Sequence, residues 1–259
     1  MALNLKSTFL STVSALAVAL TVAATPASAD QIISLYSGNG TIADADSQIT
    51  YLPGPLDTGF GSVFTATDFA NASSGSAATV INNHPAWITA TAFNANASTA
   101  AVPAQWISNS PAGGASFGDN GSSGLYAIEF TITDAIISAA SIDFDFAVDN
   151  ILGTTSPSFG VNQGLFLNGV ALSGNTSGGG FDSVHTFTRT DIAPLLQTGV
   201  NTLYINLTDV GGPAAMIFST TITTEGSTAV AVPEPGLVAI FGLGLIGLGF
   251  ARQRRSARA

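Results

Sequence analysis

Alternation of apolar and polar residues with a period of two is the feature that most restricts the fold of this chain. In the clearest example, Tyr126, Ile128, Phe130 and Ile132 are separated by small or polar residues. Similar alternation recurs over residues 142–148, 203–207 and 216–222. Successive side chains of a β-strand point to opposite faces of a sheet, so each segment predicts a strand with one buried face.

The connections between these segments favour an antiparallel arrangement. Residues 165–167 and 170–172 are apolar and flank Asn168-Gly169, the preferred pair for a two-residue type I′ hairpin turn. Only residues 191–196 have a helical pattern, and Pro194 limits them to one or two turns. The sequence therefore predicts an all-β antiparallel sandwich over residues 30–222. Its N-terminal half, where residues 66–123 are rich in Ala, Ser, Thr, Asn and Gly, is expected to be rich in loops.

Positive charge is confined almost entirely to the two ends of the chain. Five of the six Lys and Arg residues lie there, and Arg189 is the one cation between Asp30 and Val232, against 15 acidic residues. Binding to nucleic acid needs Lys and Arg to neutralise phosphates, so no nucleic-acid partner is expected. The chain has no cysteine, which excludes disulfides, thiolate nucleophiles and cysteine-bound metals.

The first 29 residues have the pattern of a secretory signal peptide. Lys6 precedes a run of low polarity over residues 9–24, and Ala27-Ser28-Ala29 forms a small-residue cleavage site. Ala27 and Ala29 are the expected recognition positions, and the mature chain is expected to start at Asp30. The secretion translocon and signal peptidase are the partners that this segment implies.

The C-terminal end has the pattern of a single transmembrane helix. Residues 236–251 form an uninterrupted apolar segment of 16 residues, followed by a cluster that includes Arg252, Arg254 and Arg255. As a helix this segment would span about 24 Å. By the positive-inside rule the arginine cluster stays cytoplasmic, which places the body of the protein outside the cytoplasmic membrane. A linker is expected at residues 223–232.

The residues before this segment carry a family resemblance. Pro233, Glu234 and Pro235, the Gly- and Leu-rich apolar segment and the terminal arginines together resemble the PEP-CTERM sorting signal, here residues 233–259, of exopolysaccharide-producing Gram-negative bacteria. The resemblance implies a partner, an exosortase, that acts at the Pro-Glu-Pro site and removes the helix. The two prolines would keep that site extended and open to an enzyme. A permanent membrane anchor is the alternative.

The body of the chain is similar to galactose-binding-like jelly rolls. The similarity rests on an ordered series of short motifs between residues 80 and 225: Pro-Ala-Trp at 85–87, Gln-Trp-Ile-Ser at 105–108, the aromatic strand at 126–132, Asp149-Asn150, Leu-Asn-Gly at 167–169, and Gly-Val-Asn-Thr-Leu at 199–203. It implies a sandwich of the jelly-roll type. A shared fold alone does not establish sugar binding.

The motifs of nucleophilic catalysis are missing from this sequence. It contains no G-x-S-x-G elbow, and its two histidines, His84 and His185, are 101 positions apart and do not form a zinc motif. We expect His84 to lie in a turn and His185 to pack at the core or its rim. The sequence therefore predicts no catalytic residue and no cofactor other than Ca²⁺.

A calcium site is the metal hypothesis that the sequence allows. Asp143 and Asp145 share one face of a predicted strand, and Asp149 and Asn150 follow near its end. Carboxylate and amide oxygens suit a hard cation such as Ca²⁺. The alternative is a solvated strand face in a strongly acidic protein.

Aromatic and amide side chains are the candidates for glycan contact. Trp87 and Trp106 could present flat faces to a sugar ring, with Asn150 as a polar contact, while packing in the core of the sandwich is the alternative use of tryptophan. Arg189, the sole cation of the body, could orient an anionic sugar, although a structural salt bridge is the favoured role.

These features together predict a non-enzymatic exported protein. It is expected to be membrane-anchored transiently, processed by an exosortase, and then located at the cell surface or in the extracellular matrix. There it would associate with exopolysaccharide or biofilm and bind glycan. The alternative is a secreted polysaccharide hydrolase that uses Asp or Glu residues across a cleft.

Overall fold

The computed structural model describes residues 28–99, 103–110, 121–154, 163–172 and 178–227 of the chain. Its strands are β1 (Ser28–Tyr36), β2 (Ala45–Pro53), β3 (Ser76–Val80), β4 (Ile107–Ser108), β5 (Gly124–Ile132), β6 (Ile136–Asp149), β7 (Ile151–Leu152), β8 (Leu165–Leu167), β9 (Val170–Ala171), β10 (His185–Arg189), β11 (Gly199–Thr208) and β12 (Ala215–Ser227). Its helices are α1 (Ala66–Ser73), α2 (Ala90–Asn96) and a single 3₁₀ turn (Ala193–Leu195).

All these strands belong to one curled antiparallel sheet. The hydrogen-bonded order is β10-β6-β12-β4-β3-β2-β5-β11-β8-β9, with β1 beside β12 and β7 beside β11. Short β4 joins two halves, because Ile107 pairs with Met216 of β12 and with Val80 of β3. We call these the β6–β12 half, which includes β10 and β1, and the β5–β11 half, which includes β2, β3, β7, β8 and β9. The predicted all-β antiparallel fold is confirmed.

The main core lies where the two halves face each other. Phe144 of β6 stacks on Phe218 of β12 with ring centroids 5.4 Å apart, and both side chains are fully buried. Ile128 and Leu203, a register pair of the opposite half, belong to the same cluster. Burying each such side chain stabilises the fold by about 1.5–3 kcal/mol. The period-two pattern of the sequence therefore marks the inward-facing positions.

The outer faces of both halves are covered by chain segments that the sequence predicted as loops. Trp87, Phe93 of α2 and Trp106 pack on Ala147 and Ile217 of the β6–β12 half. On the other half, α1 places Phe69 and Ala72 against Leu125 and Tyr204. Residues 66–110 thus contain two helices and two strands, and the expectation of a loop-rich stretch is wrong for much of it.

Caps explain why these short, alanine-rich segments become helical. The Thr65 hydroxyl accepts from the Asp68 backbone N–H, and the Asp68 carboxylate accepts from the Thr65 N–H, which forms a capping box. Thr89 is the N-cap residue of α2, and its hydroxyl accepts from the Ala92 backbone N–H. Each such cap stabilises a helix by about 1 kcal/mol.

The first and last described strands are neighbours. β1 pairs with β12 from Ser28↔Ser227 to Tyr36↔Ser219. β12 therefore continues five residues past Ile222 into the segment expected to be linker, because it has a partner strand on each side there. Within the described ranges no helix is long and apolar enough to cross a membrane. Most of the predicted signal peptide (1–29) and the whole predicted membrane helix (236–251) lie outside those ranges.

Candidate functional site

The two tryptophans proposed for glycan contact lie inside the protein. Trp87 is 4% exposed and Trp106 is 1% exposed. Their rings pack against each other at an interplanar angle of 32° with centroids 4.4 Å apart, between the sheet and the segment that contains α2. The indole faces are therefore not available to a sugar, and the glycan-contact hypothesis for these residues is replaced by a packing role.

Trp87 connects this cluster to a buried carboxylate. Its Nε1–H donates to Oδ2 of Asp149 at 2.7 Å, and Asn150 Nδ2 donates to Oδ1 of Asp149 at 2.6 Å. Burial raises the pKa of the Asp149 carboxyl, and the hydrogen bond from Trp87 and the proximity of His84 offset this only in part. The Asn150 side-chain oxygen accepts from the backbone of Val210 at 2.8 Å. Asn150 therefore ties two loops together.

Asp145 lies under the segment that follows α2. Its Oδ2 accepts from the Ser98 hydroxyl at 2.8 Å and from the Thr99 N–H at 2.9 Å and hydroxyl at 3.0 Å. Its Oδ1 accepts from the Thr186 hydroxyl at 2.6 Å. Burial raises the pKa of this carboxyl, but the donated hydrogen bonds lower it further, so the pKa lies below its usual value. Four donors match the roughly four lone-pair positions of a carboxylate.

The three aspartates of the calcium hypothesis are hydrogen-bonded to protein groups in the structure. Asp143 is half-buried and accepts from the Thr188 hydroxyl at 2.8 Å, while Asp145 and Asp149 are engaged as described. Among the described residues, no three His, Asp or Glu side chains group together as metal ligands. The strand spacing correctly places Asp143 and Asp145 on one face, but the cover over that face turns Asp145 into a structural acceptor.

Asp209 is a further buried carboxylate, and the sequence did not predict a role for it. It accepts from the backbone N–H of Asp57 at 2.7 Å and of Gly211 at 2.8 Å, and its side chain is fully buried. Burial raises its pKa, and those two N–H donors offset the rise in part. Aspartate side chains often accept a hydrogen bond from the backbone N–H two residues on, which stabilises a turn. The position of Asp209 two residues before Gly211-Gly212 is therefore the sequence signal that could have identified this contact.

The sole cation of the body and the two histidines have structural contacts. Arg189 forms a two-point ion pair with Asp191, with Nε–Oδ1 at 2.6 Å and Nη2–Oδ2 at 2.8 Å. This hydrogen-bonded pairing lowers the pKa of the Asp191 carboxyl. His84 is buried beside Trp87, with its Nδ1 accepting from Ala86 at 3.2 Å. The His185 ring packs against the Phe146 ring with centroids 5.6 Å apart, at the rim of the core.

An aromatic cavity that the sequence did not predict opens on the outer face of the β5–β11 half. It has a volume of about 420 Å³ and lies between α1 and the tip of the β8–β9 hairpin, where Phe64, Phe69 and Tyr204 line it. The Tyr204 hydroxyl is within 3.0 Å of Ser73 Oγ, so its polar end already has a partner in the fold. At the hairpin tip, Asn168 donates to the Leu195 carbonyl and to Asn201.

The fold defines the class of protein to which the body belongs. It is an all-β antiparallel domain with few helices, which is consistent with a jelly-roll-like fold. Residues 231–255 match the PEP-CTERM protein-sorting motif. The chain thus carries the signal of a surface protein that is processed by an exosortase.

Among proteins with curated descriptions, none matches the chain. One solved structure with similarity is the isomalto-dextranase of Arthrobacter globiformis T6 complexed with panose, at 13% identity and a TM-score of 0.26. That match covers 57% of this chain and about a fifth (21%) of the other chain.

Proposed function

We propose that this chain is a non-enzymatic surface or matrix protein of a Gram-negative bacterium, exported through a cleaved signal peptide. A C-terminal helix holds it in the membrane until an exosortase removes the tail. The protein then associates with exopolysaccharide at the cell surface or in a biofilm. The observation that carries this proposal is the sorting motif at residues 231–255, which begins soon after β12 ends at Ser227.

The pairing of β1 with β12 supports the order of events. Asp30, the predicted mature N-terminus, lies opposite Glu225, so both targeting segments leave the domain at the same edge. Five residues separate Ser227 from Pro233, and an extended chain of that length spans at most about 18 Å. The domain can therefore be fully folded while its tail is still held at the membrane surface.

The buried carboxylates favour a binding role over hydrolysis. A glycosidase needs two carboxyl groups that face a sugar from opposite sides. Asp145, Asp149 and Asp209 instead accept hydrogen bonds from neighbouring segments and have little exposure. Their contacts are those of residues that hold loops on a sheet.

Alanine replacement of Pro233, Glu234 and Pro235 in the full chain tests the processing step. We expect the variant to remain in the membrane fraction with its tail intact, as detected by an antibody against the body of the protein and by an epitope added after Ala259. Pro194→Ala, which changes a proline outside the motif, is the matched control and should be processed like the wild type. Unchanged processing of the triple variant would show that the tail acts only as an anchor.

A further inference from the structure

We propose that the open end of the outer face of the β6–β12 half binds one sugar residue of a neutral polysaccharide. This rests on the proposed function, because it names a surface through which the exported protein would hold polysaccharide. The site is a shallow cavity of about 200 Å³ whose lining comprises Ala139, Ala140, Ser141, Thr190, Thr223 and Glu225. It was not among the sites that the sequence suggested.

Strand register places the lining residues side by side. Thr223 of β12 pairs with Ser141 of β6, and Glu225 pairs with Ala139. Thr190 follows directly after β10, the strand on the other side of β6. Antiparallel neighbours lie about 4.7–4.9 Å apart. Three adjacent strands therefore present three hydroxyl groups and one carboxylate side by side.

The two ends of this outer face differ in how their polar groups are used. At one end Trp87 and Trp106 cover Ala147 and Ile217. The Asp145 carboxylate there accepts hydrogen bonds from four donors. At the other end the hydroxyls of Ser141, Thr190 and Thr223 and the Glu225 carboxylate make no hydrogen bond within the described ranges. These four groups are at least partly exposed, so they are free to bond a ligand.

The chemistry of the lining selects the ligand class. A carboxylate accepts two hydrogen bonds from neighbouring hydroxyl groups, and bonds to a charged acceptor are stronger than neutral ones. Ala139, which is partly exposed, offers a small apolar contact for the C–H side of a sugar ring, while its neighbour Ala140 is buried in the main core. The lining contains one carboxylate and no basic group, so a polysaccharide that carries carboxylates or sulfates would be repelled. The volume is below the roughly 300–1,000 Å³ of sites for drug-sized ligands, which fits a single sugar unit of a longer chain.

Affinity electrophoresis of the full chain in detergent tests this site. The gels would contain dextran, hydroxyethyl cellulose or galactomannan as neutral probes, and carboxymethyl cellulose as the charged match to hydroxyethyl cellulose. We expect retardation by at least one neutral probe and none by carboxymethyl cellulose. Thr223→Val and Thr190→Val should each weaken binding about threefold to tenfold, since each removes one hydrogen bond and little volume. Glu225→Gln should weaken it about tenfold or more.

Thr221→Val is the matched control, because Thr221 lies on the same strand and face but outside the cavity lining. It should bind like the wild type. The proposal is overturned if no neutral probe retards the protein, if carboxymethyl cellulose binds as well as hydroxyethyl cellulose, or if Thr221→Val loses as much affinity as Thr223→Val. Tail removal in the Thr223 and Glu225 variants should be unchanged. A failed site with normal processing would therefore refute this inference and leave the sorting function intact.

Discussion

Several buried aspartates act as clamps that hold irregular segments onto the sheet. Asp46 accepts four backbone N–H groups, from Gly38, Asn39, Gln48 and Ile49. Asp145 holds the chain after α2, and Asp149 holds the tryptophan cluster. A buried carboxylate is tolerated when it is hydrogen-bonded, and each of these three accepts at least one bond from an irregular segment. The acidic composition of the body therefore has a structural role as well as a surface role.

Replacement of Asp145 tests the clamp that holds residues 98 and 99. Asp145→Asn should lower the free energy of unfolding by about 2–3 kcal/mol at pH 7, because an amide nitrogen would meet the donors that now point at a carboxylate. Asp143→Asn, two residues earlier on the same face, should cost about 0.5 kcal/mol. Urea denaturation followed by tryptophan fluorescence measures both.

The effect of Asp145 should depend on pH with a defined sign. Its pKa is lowered in the fold, so its stabilisation is fully present above the unfolded pKa of about 3.9 and is lost as the pH falls through the folded value. The stability difference between wild type and Asp145→Asn should therefore be largest near neutral pH and shrink in acid. A difference that stayed constant down to pH 2 would show that the charge of Asp145 is irrelevant.

Replacement of Trp87 separates a packing role from a ligand role. Trp87→Phe removes the donor to Asp149 and should destabilise the fold by about 3 kcal/mol at pH 7. Trp106→Phe, whose indole donates to the Ile88 carbonyl at 2.9 Å, should cost about 1 kcal/mol less, since the group left without a partner is neutral. The Asp149 pKa is already raised, so protonation in mild acid should reduce the cost of Trp87→Phe but not that of Trp106→Phe. Equal losses at all pH values would refute the buried pairing.

At the scale of elements, the strands of the second half could be predicted and the covering layers could not. Residues 126–132 and 142–148 fall within β5 and β6, and the 3₁₀ turn lies within the predicted residues 191–196. In those strands large apolar residues alternate with small or polar ones along the chain, so the pattern is local. α1 and α2 bury few large apolar side chains, and Trp87 meets Asp149 across 62 positions, so no local pattern reveals those contacts.

The β8–β9 hairpin allows a direct test of a sequence prediction. Asn168 and Gly169 have φ angles of 51° and 81°, as a type I′ turn requires, and the predicted hairpin is confirmed. Gly169→Ala should destabilise the fold by about 1–2 kcal/mol, because alanine disfavours this backbone region and its Cβ would lie 3.2 Å from a Phe69 ring carbon. Gly61→Ala is the control, since a Cβ there meets nothing within 4 Å. Thermal unfolding would show equal midpoints for the two variants if the turn geometry were wrong.

At the scale of the whole molecule, the sheet joins the two ends of the described chain. β12 lies between β6 and β1, so the last strand before the sorting motif is a central element and not a loose extension. Residues from the predicted linker contribute to it. Thr224, fully buried, donates its hydroxyl to Asp134 at 2.6 Å, and Gly226 leaves room for that aspartate, because a Cβ there would lie 2.4 Å from the carboxyl carbon. The Thr and Ser residues of this segment are typical of a linker, but pairing with β1 on one side and β6 on the other places them in a β-strand.

The position at which the chain is shortened should therefore decide whether the body stays stable. A chain that ends after Ser227 keeps every described pair of β12 and should match the processed protein in unfolding free energy to within about 0.5 kcal/mol. A chain that ends after Ile222 loses five register pairs with β1, five with β6 and the bond from Thr224 to Asp134, and should be less stable by about 3–5 kcal/mol. Urea denaturation of the two forms would measure this difference. Equal stability would mean that residues 223–227 are a linker after all, and that the cavity beside Thr223 and Glu225 is not held in place by the fold.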